Sequence, residues 1–319
     1  MDNHYNISEG VLQDRVNGKV MPWRPKKKRT LILARSFHRL GKHKKANRIW
    51  WCSCELEFRV EPETGRKRLK NAGFCRERLC NMCAWRKSLK TFHQVSKVMD
   101  EVQRRHENLQ PVFLTLTVRN CEGDKLMNTL DMMFYGWGLL RKHRKIKRIA
   151  HGWFRALEVT YNRKDDTYHP HFHAILLVDK SYFKGKDYMQ TADWVQMWRT
   201  ACALDYDPIC DIRKIKASKG KYKAVAEIAK YTVKDSDYLH EDNDELTDRL
   251  VGVLSSALRG RRLYGFGGVM QTIAKELGME KPGEGDLVHI DDDAIREDVA
   301  NLIEVYNWSF GVADYIRRR

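Results

Sequence analysis

The stretch HPHFHAILLV, residues 169–178, leaves this chain few ways to fold. Histidine recurs at every second position and then gives way to an unbroken aliphatic run. Successive side chains of a β-strand point to opposite faces, so His169, His171 and His173 share one face with Ile175 and Leu177. Phe172, Ala174, Leu176 and Val178 line the other. A strand apolar on both faces belongs at the centre of a sheet, and imidazoles two residues apart on it are a metal-ligand pattern.

Two histidines seldom complete a catalytic metal site, so a third protein ligand is required, with positions left open for substrate. The preceding segment WFRALEVTY (153–161) forms a hairpin with the histidine strand across the polar NRKDDTY. Its Glu158 lies between Leu157 and Val159, where an unpaired buried carboxylate would be costly. A turn near Asp165 and Asp166 would set Glu158 opposite His173 on the same face. His169 has the same parity but adjoins Pro170, at or before the start of the strand. Two imidazoles and a carboxylate facing a phosphate-like substrate suit Mg²⁺ or Mn²⁺ better than a closed zinc site.

Around this hairpin the pattern alternates. VFLTLTV (112–118) reads as a strand; Leu126, Leu130, Met133, Trp137 and Leu140 follow at helical spacing. After the hairpin, TADWVQMWRTA reads as helix, DIRKIK as extended and KAVAEIAKYTV as helix. The order βαββαβ predicts an α+β fold, a ferredoxin-like antiparallel sheet with helices on one face. On AEIAKYTVKD, Glu227, Tyr231 and Lys234 stand four and three residues apart and share a helix face, away from Val225, Ala229 and Thr232. A phenol with an ordinary pKa of about 10 needs nearby positive charge to act as a nucleophile. Lys234 and a metal on the sheet can supply it, and Glu227 can activate a water or take a proton.

The chain has 319 residues, 42% of them apolar, and a formal net charge of +17. That is enough for a packed core of one large or two ordinary domains, and the charge argues for a polyanionic partner. A small-molecule metallohydrolase would have no use for it. No uncharged apolar run approaches the roughly 18 residues of a membrane span, and the N-terminus lacks a secretory pattern, so a cytoplasmic protein away from membranes is expected. Eight cysteines in a reducing compartment are not expected to pair. Cys52, Cys54, Cys75, Cys80 and Cys83 cluster with zinc-ligand spacing. Cys52, Cys75, Cys80 and Cys83 are favoured as a structural Zn²⁺ set, with Cys54 as the substitute; Cys121, Cys202 and Cys210 are assigned to packing. A helix from Trp85 to about Val102 leads from this module to the first strand.

Four segments follow: a basic arm (1–49), the cysteine module with its helix (50–110), the βαββαβ domain (111–240) and a helical C-terminal extension (241–319). From Arg24 to Arg48 there are eleven basic residues and no acidic one. Lys26, Lys27, Lys28 and Arg29, with Trp50 and Trp51 beyond, are assigned to DNA binding, because rings stack on bases while cations track phosphates. The acidic stretch 284–298 is expected to stay off DNA. Leu302, Val305 and Trp308 suggest a helix, and residues 245–319 offer a surface for a partner or for a homodimer.

Taken together, FLTLT, LEVTYN followed by HPHFH, and EIAKYTVKDSDYL resemble the three motifs of plasmid rolling-circle replication initiators, the Rep proteins of the HUH endonuclease superfamily. FCRERLCNMCAWRKS is similar to the cysteine segment of the type found on small Gram-positive plasmids. The resemblance runs from about Trp50 to Leu239. It implies His171, His173 and Glu158 as ligands of the catalytic metal, Tyr231 as nucleophile and Glu227 as the water-activating acid. The implied activity is site-specific nicking of one strand at a plasmid origin, in single- or double-stranded form, through a covalent 5′-phosphotyrosine. The resemblance further implies a 3′ hydroxyl freed for a host polymerase, with a host helicase as a second partner. The rival readings are a relaxase or single-strand transposase, which lack the cysteine module, and a non-catalytic zinc-ribbon DNA-binding repressor.

Overall fold

A computed structural model describes residues 10–16, 18–215, 225–226, 228–229, 234–281, 284–290 and 302–318. In chain order the first elements are α1 (Trp23–Arg39), α2 (His43–Trp50), β1 (Glu55–Val60), β2 (Lys67–Ala72), α3 (Asn81–Arg105), β3 (Leu109–Thr117), α4 (Leu126–Leu140) and α5 (Arg144–Ile149). There follow β4 (Gly152–Asn162), β5 (Thr167–Asp179), α6 (Thr191–Ala201), β6 (Cys210–Lys214), α7 (Asp244–Ala257), β7 (Tyr264–Gly268), α8 (Val269–Glu276), β8 (Leu302–Ser309) and β9 (Asp314–Arg317). They form two compact units: residues 1–86 with 239–251 and 286–319, and residues 87–238 with 252–285.

The first unit holds a four-stranded antiparallel sheet in the order β9-β8-β1-β2. The segment expected as a basic arm is instead the packed helix pair α1 and α2. Trp23, Lys27, Thr30, Leu31, Ala34 and Phe37 form a buried stripe on α1, spaced three and four residues apart as one helix face requires. Trp23 meets Phe58 and Trp85 edge-on, with ring centroids 5.7 and 4.7 Å apart. Pro25 sits in the first turn, where a helix tolerates it. The C-terminal extension is also not all helix. Leu302, Val305 and Trp308 suggested a helical repeat, but β8 buries Glu304, Tyr306 and Trp308, the two-residue period of a strand paired with β1.

In the second unit the βαββαβ order folds into one antiparallel sheet, β6-β3-β5-β4-β7. Among the four strands of that pattern the spatial order is fourth, first, third, second, and β7 is added at the edge beside β4. The histidine strand β5 is central, bonded to β3 on one side and β4 on the other. Helices cover both faces, not the single face expected. On one face Phe172 packs against Phe134 and Trp137 of α4 and Trp198 of α6, with ring centroids 5.3, 6.1 and 6.2 Å away. On the other, Phe113, Phe154, Ala156, Ile175 and Leu177 join Val95, Val98, Met99 and Val102 of α3 and Met270 and Ile273 of α8.

Phe172 is fully buried in a ring-packed site, so truncation removes both its transfer energy and the packing of three rings. Phe172→Ala should destabilise the second unit by about 3–5 kcal/mol, read as a lower denaturation midpoint at unchanged slope.

Candidate metal centres and nucleic-acid interface

Register brings the first group together. Asn162 pairs with Thr167 across the loop 163–166, so Glu158 stands opposite His171 and Ala156 opposite His173. The turn was expected near Asp165 and Asp166 with Glu158 facing His173; it is centred one residue earlier, and the pairing shifts by two. Parity is preserved, and a shift of two leaves a side chain on its face. Glu158 Oε2 therefore still reaches both rings, 3.4 Å from His171 Nε2 and 3.1 Å from His173 Nε2. All three residues are buried, and their ligand atoms lie within 4.8 Å of one another.

The hydrogen bonds behind the rings decide what can fit between them. His171 Nδ1 is 3.2 Å from the carbonyl oxygen of His169. A carbonyl only accepts, so Nδ1 carries the proton and a neutral ring turns the lone pair of Nε2 toward the Glu158 carboxylate. Two lone pairs facing each other at that distance repel unless a cation, proton or metal, lies between them. His173 Nδ1 is held 3.2 Å from the Thr115 hydroxyl. Burial would raise the Glu158 carboxyl, but the bonds from His171 and His173 and their charge outweigh it and hold the group well below its ordinary range. The donor set thus fits a divalent cation, with a backed second nitrogen on each imidazole.

His169 stands apart. It lies inside β5, and its Nδ1 is 2.8 Å from Asn120 Oδ1; burial, then the neighbouring His171, pulls its pKa down. Glu227 and Tyr231 lie outside the described residues. Their neighbours Val225 and Ile228 are buried in the same hydrophobic cluster as Ile175 and Leu177, on the face that carries His171 and His173. Lys234 is exposed. Sequence reasoning passed over Thr115, Asn120 and Asp237. Asp237 accepts the backbone N–H of Tyr161, and its carboxyl is raised by burial and also by the charge of Glu158. Nothing in the string KDSDY distinguishes it from a solvated acid.

The second group is Cys52, Cys75, Cys80 and Cys83, all buried, with sulfurs within 4.8 Å of one another. Cys52 and Cys83 approach to 3.6 Å, Cys52 and Cys80 to 3.6 Å, and Cys75 and Cys83 to 3.7 Å. Disulfides would need about 2.05 Å, whereas four sulfurs about 2.3 Å from one tetrahedral ion stand about 3.8 Å apart. Backbone N–H groups of Cys75 and Arg76 point at Cys52 and Cys83 sulfurs. Without a cation the thiols cannot all ionise: hydrogen bonds from its three neighbours overcome burial and lower Cys80, while Cys75 and Cys83 are raised. The group could hold a metal such as zinc. Cys54 falls outside it, and its sulfur accepts from Lys27 Nζ at 3.1 Å.

The sequence profile of the Rep_1 family, described as Replication protein, matches residues 66–316. The chain belongs to that family. It is 40% identical to a Protein rep of Bacillus amyloliquefaciens, over 99% of this chain and 98% of that protein. A Protein rep of Streptococcus pneumoniae is 35% identical over 92% of this chain and 91% of its own length. A Replication protein of Staphylococcus aureus is 38% identical over 67% of this chain and 94% of its own. No solved structure matches. The family is the one its motifs implied, that of plasmid replication initiators, and an initiator binds plasmid origin DNA. Among the described residues no helix is long and apolar enough to cross a membrane.

For this Rep chain, the residues expected on DNA divide. Lys28 is exposed and Lys26 half-buried, while Arg29 bonds to the Leu239 carbonyl and Glu241. Lys27, expected among the contacts, is instead fully buried, because its ammonium donates to the Trp50 and Cys52 carbonyls at 2.7 Å each and to Cys54. Trp50 stacks on Phe310 at 5.4 Å between centroids, and Trp51 is 58% exposed. Arg35, His38, Arg39, His43, Trp50 and Trp51 line a groove of about 600 Å³ between α1 and α2.

Two outcomes are expected. Purified protein should carry one equivalent of tightly bound metal at the cysteines by elemental analysis, lost in Cys80→Ser and retained in Cys54→Ser. A carboxyl whose folded pKa is depressed contributes stability that is present above its unfolded value, about 4.3, and lost as pH falls toward the folded value. In metal-chelated protein, the stability difference between wild type and Glu158→Gln should therefore shrink below about pH 4.3, as measured by denaturant titration.

Proposed function

We propose that this Rep chain initiates rolling-circle replication as a metal-dependent HUH endonuclease that nicks one DNA strand at the plasmid origin and transfers it. One observation carries the reading: Glu158, His171 and His173 converge on the sheet face against which Val225 and Ile228, the neighbours of Glu227, are packed. The fourth-first-third-second strand order is further support, because it is the order a ferredoxin-like βαββαβ sheet requires.

A divalent cation, Mg²⁺ or Mn²⁺, held by Glu158 and the two Nε2 atoms would act as Lewis acid on the scissile phosphate. Tyr231 Oη attacks phosphorus; the P–Oη bond forms as the bond to the 3′ oxygen breaks. The phenolic proton passes through solvent to the 3′ oxygen, which leaves as a hydroxyl for host polymerase, with helicase opening the duplex ahead. Lys234 stabilises the developing phenolate. At the second cut Glu227 takes a proton from water, whose oxygen bonds to phosphorus as the bond to the 3′ oxygen breaks and that oxygen leaves as a hydroxyl, so no second tyrosine is needed. Zn²⁺ on Cys52, Cys75, Cys80 and Cys83 would brace the first unit, where Lys26, Lys28, Arg29, Trp50 and Trp51 meet origin DNA. The reaction belongs in the cytoplasm, where plasmid DNA is copied.

Supercoiled origin plasmid incubated with Mn²⁺ should become open-circular and carry covalently attached protein. Tyr231→Phe should abolish both, and His171→Ala should cost more than the roughly 10–100-fold typical of an outer-shell partner. An adduct that survives in the Phe variant overturns the assignment.

A further inference from the structure

The run RKHRKIKR, residues 141–148, has no part in the chemistry above. It closes α4 and forms most of α5, where Ile146 and Ile149 are buried and pin the short helix to the second unit. His143 Nδ1 accepts the Lys145 N–H and fixes the first turn. Arg141, Lys142, Arg144, Lys145, Lys147 and Arg148 are all exposed. Arg148 pairs with Asp187; the other five have no acidic partner among the described residues. Arg39, Arg104, Arg105 and Arg261 each face a carboxylate.

Five uncompensated cations within seven residues repel one another and give the fold nothing in return. An external polyanion would relieve that repulsion and release its counterions. The run offers no aromatic ring besides His143, unlike the surface of Trp50, Trp51 and Phe310, so it suits the charge of a duplex backbone rather than the faces of unpaired bases. Its position is also set. α5 leads directly into Gly152, and Glu158 stands six residues further along β4, about 20 Å at roughly 3.3 Å per residue, or about six base pairs at 3.4 Å each.

We propose that the α5 cluster is a second DNA contact, a clamp on the phosphates of double-stranded DNA about six base pairs from the Glu158–His171–His173 centre. It rests on the proposed reading only in taking DNA as the partner; it requires neither the metal nor Tyr231.

The test uses the full chain with its cysteine-bound metal retained and no Mg²⁺ or Mn²⁺ added, so that binding is read whether or not the protein nicks. Fluorescence anisotropy follows a 30-base-pair duplex of arbitrary sequence and an oligothymidine of equal length as salt is raised. Substituting Arg141→Gln, Arg144→Gln, Lys145→Gln and Lys147→Gln together should weaken duplex binding at least about tenfold and flatten the log–log salt slope by about 3–4. Oligothymidine binding should change less than about threefold. A charge-preserving set, Arg141→Lys, Arg144→Lys, Lys145→Arg and Lys147→Arg, should bind as wild type. Should the fourfold variant melt early, Lys145→Gln with Lys147→Gln gives the same readout with a slope change of about 2. A folded variant with unchanged duplex affinity and slope overturns the proposal, and so does an equal proportional loss on both DNAs.

Discussion

A carboxylate buried between two imidazoles is tolerable only with a cation among them, and the second unit is organised around that requirement. The carbonyl of His169 fixes the proton on His171 Nδ1 and so turns a lone pair toward Glu158. Holding such donors about 3 Å apart in a low-dielectric interior needs a rigid support. The central strand supplies it, bonded on both sides and pressed by the rings of Phe134, Trp137 and Trp198 from behind. Packing on one face of the sheet thereby sets the geometry of the chemistry on the other.

The first unit meets the same physical problem with sulfur. Four thiols are gathered in one buried cluster, where desolvation and mutual repulsion oppose full ionisation without a compensating ion. Beside them the Lys27 ammonium is buried but has three acceptors, enough to use all of its protons. That lysine organises the loop between α2 and β1 by drawing two carbonyls and Cys54 inward. Cys54 is thereby occupied, which resolves a choice of five cysteines for four places.

Much of the second unit was legible because its signals are local. Alternation in HFHAILLV, the helical spacing of Leu126 to Leu140 and the polar loop between β4 and β5 each report their own backbone period. The failures came where local reading meets non-local packing. α1 reads as an arm in the sequence because its buried stripe runs through Lys27, and a lysine reads as solvent-facing until its acceptors, more than twenty residues away, are known. β8 reads as a helix in the sequence because Leu302, Val305 and Trp308 fit a three-residue spacing, whereas the residues it buries include Glu304, whose carboxylate meets Lys67 and Arg317. RKHRKIKR does not stand out in the sequence from the chain's general positive charge; that Arg148 alone of its six lysines and arginines has an acidic partner among the described residues appears only in three dimensions.

The sequence by itself determined the ligand types and their parity: which histidines share a face, that Glu158 could join them, and that the cysteines form a cluster. Chemistry and strand period are carried by neighbouring residues, so they survive without coordinates. Only the tertiary structure decided the hairpin register, the exclusion of Cys54 and His169 from the two groups, and the burial of Lys27. Each of these turns on a hydrogen bond or contact from another element of the chain, and what lies across such a gap is set by packing, not by adjacent letters.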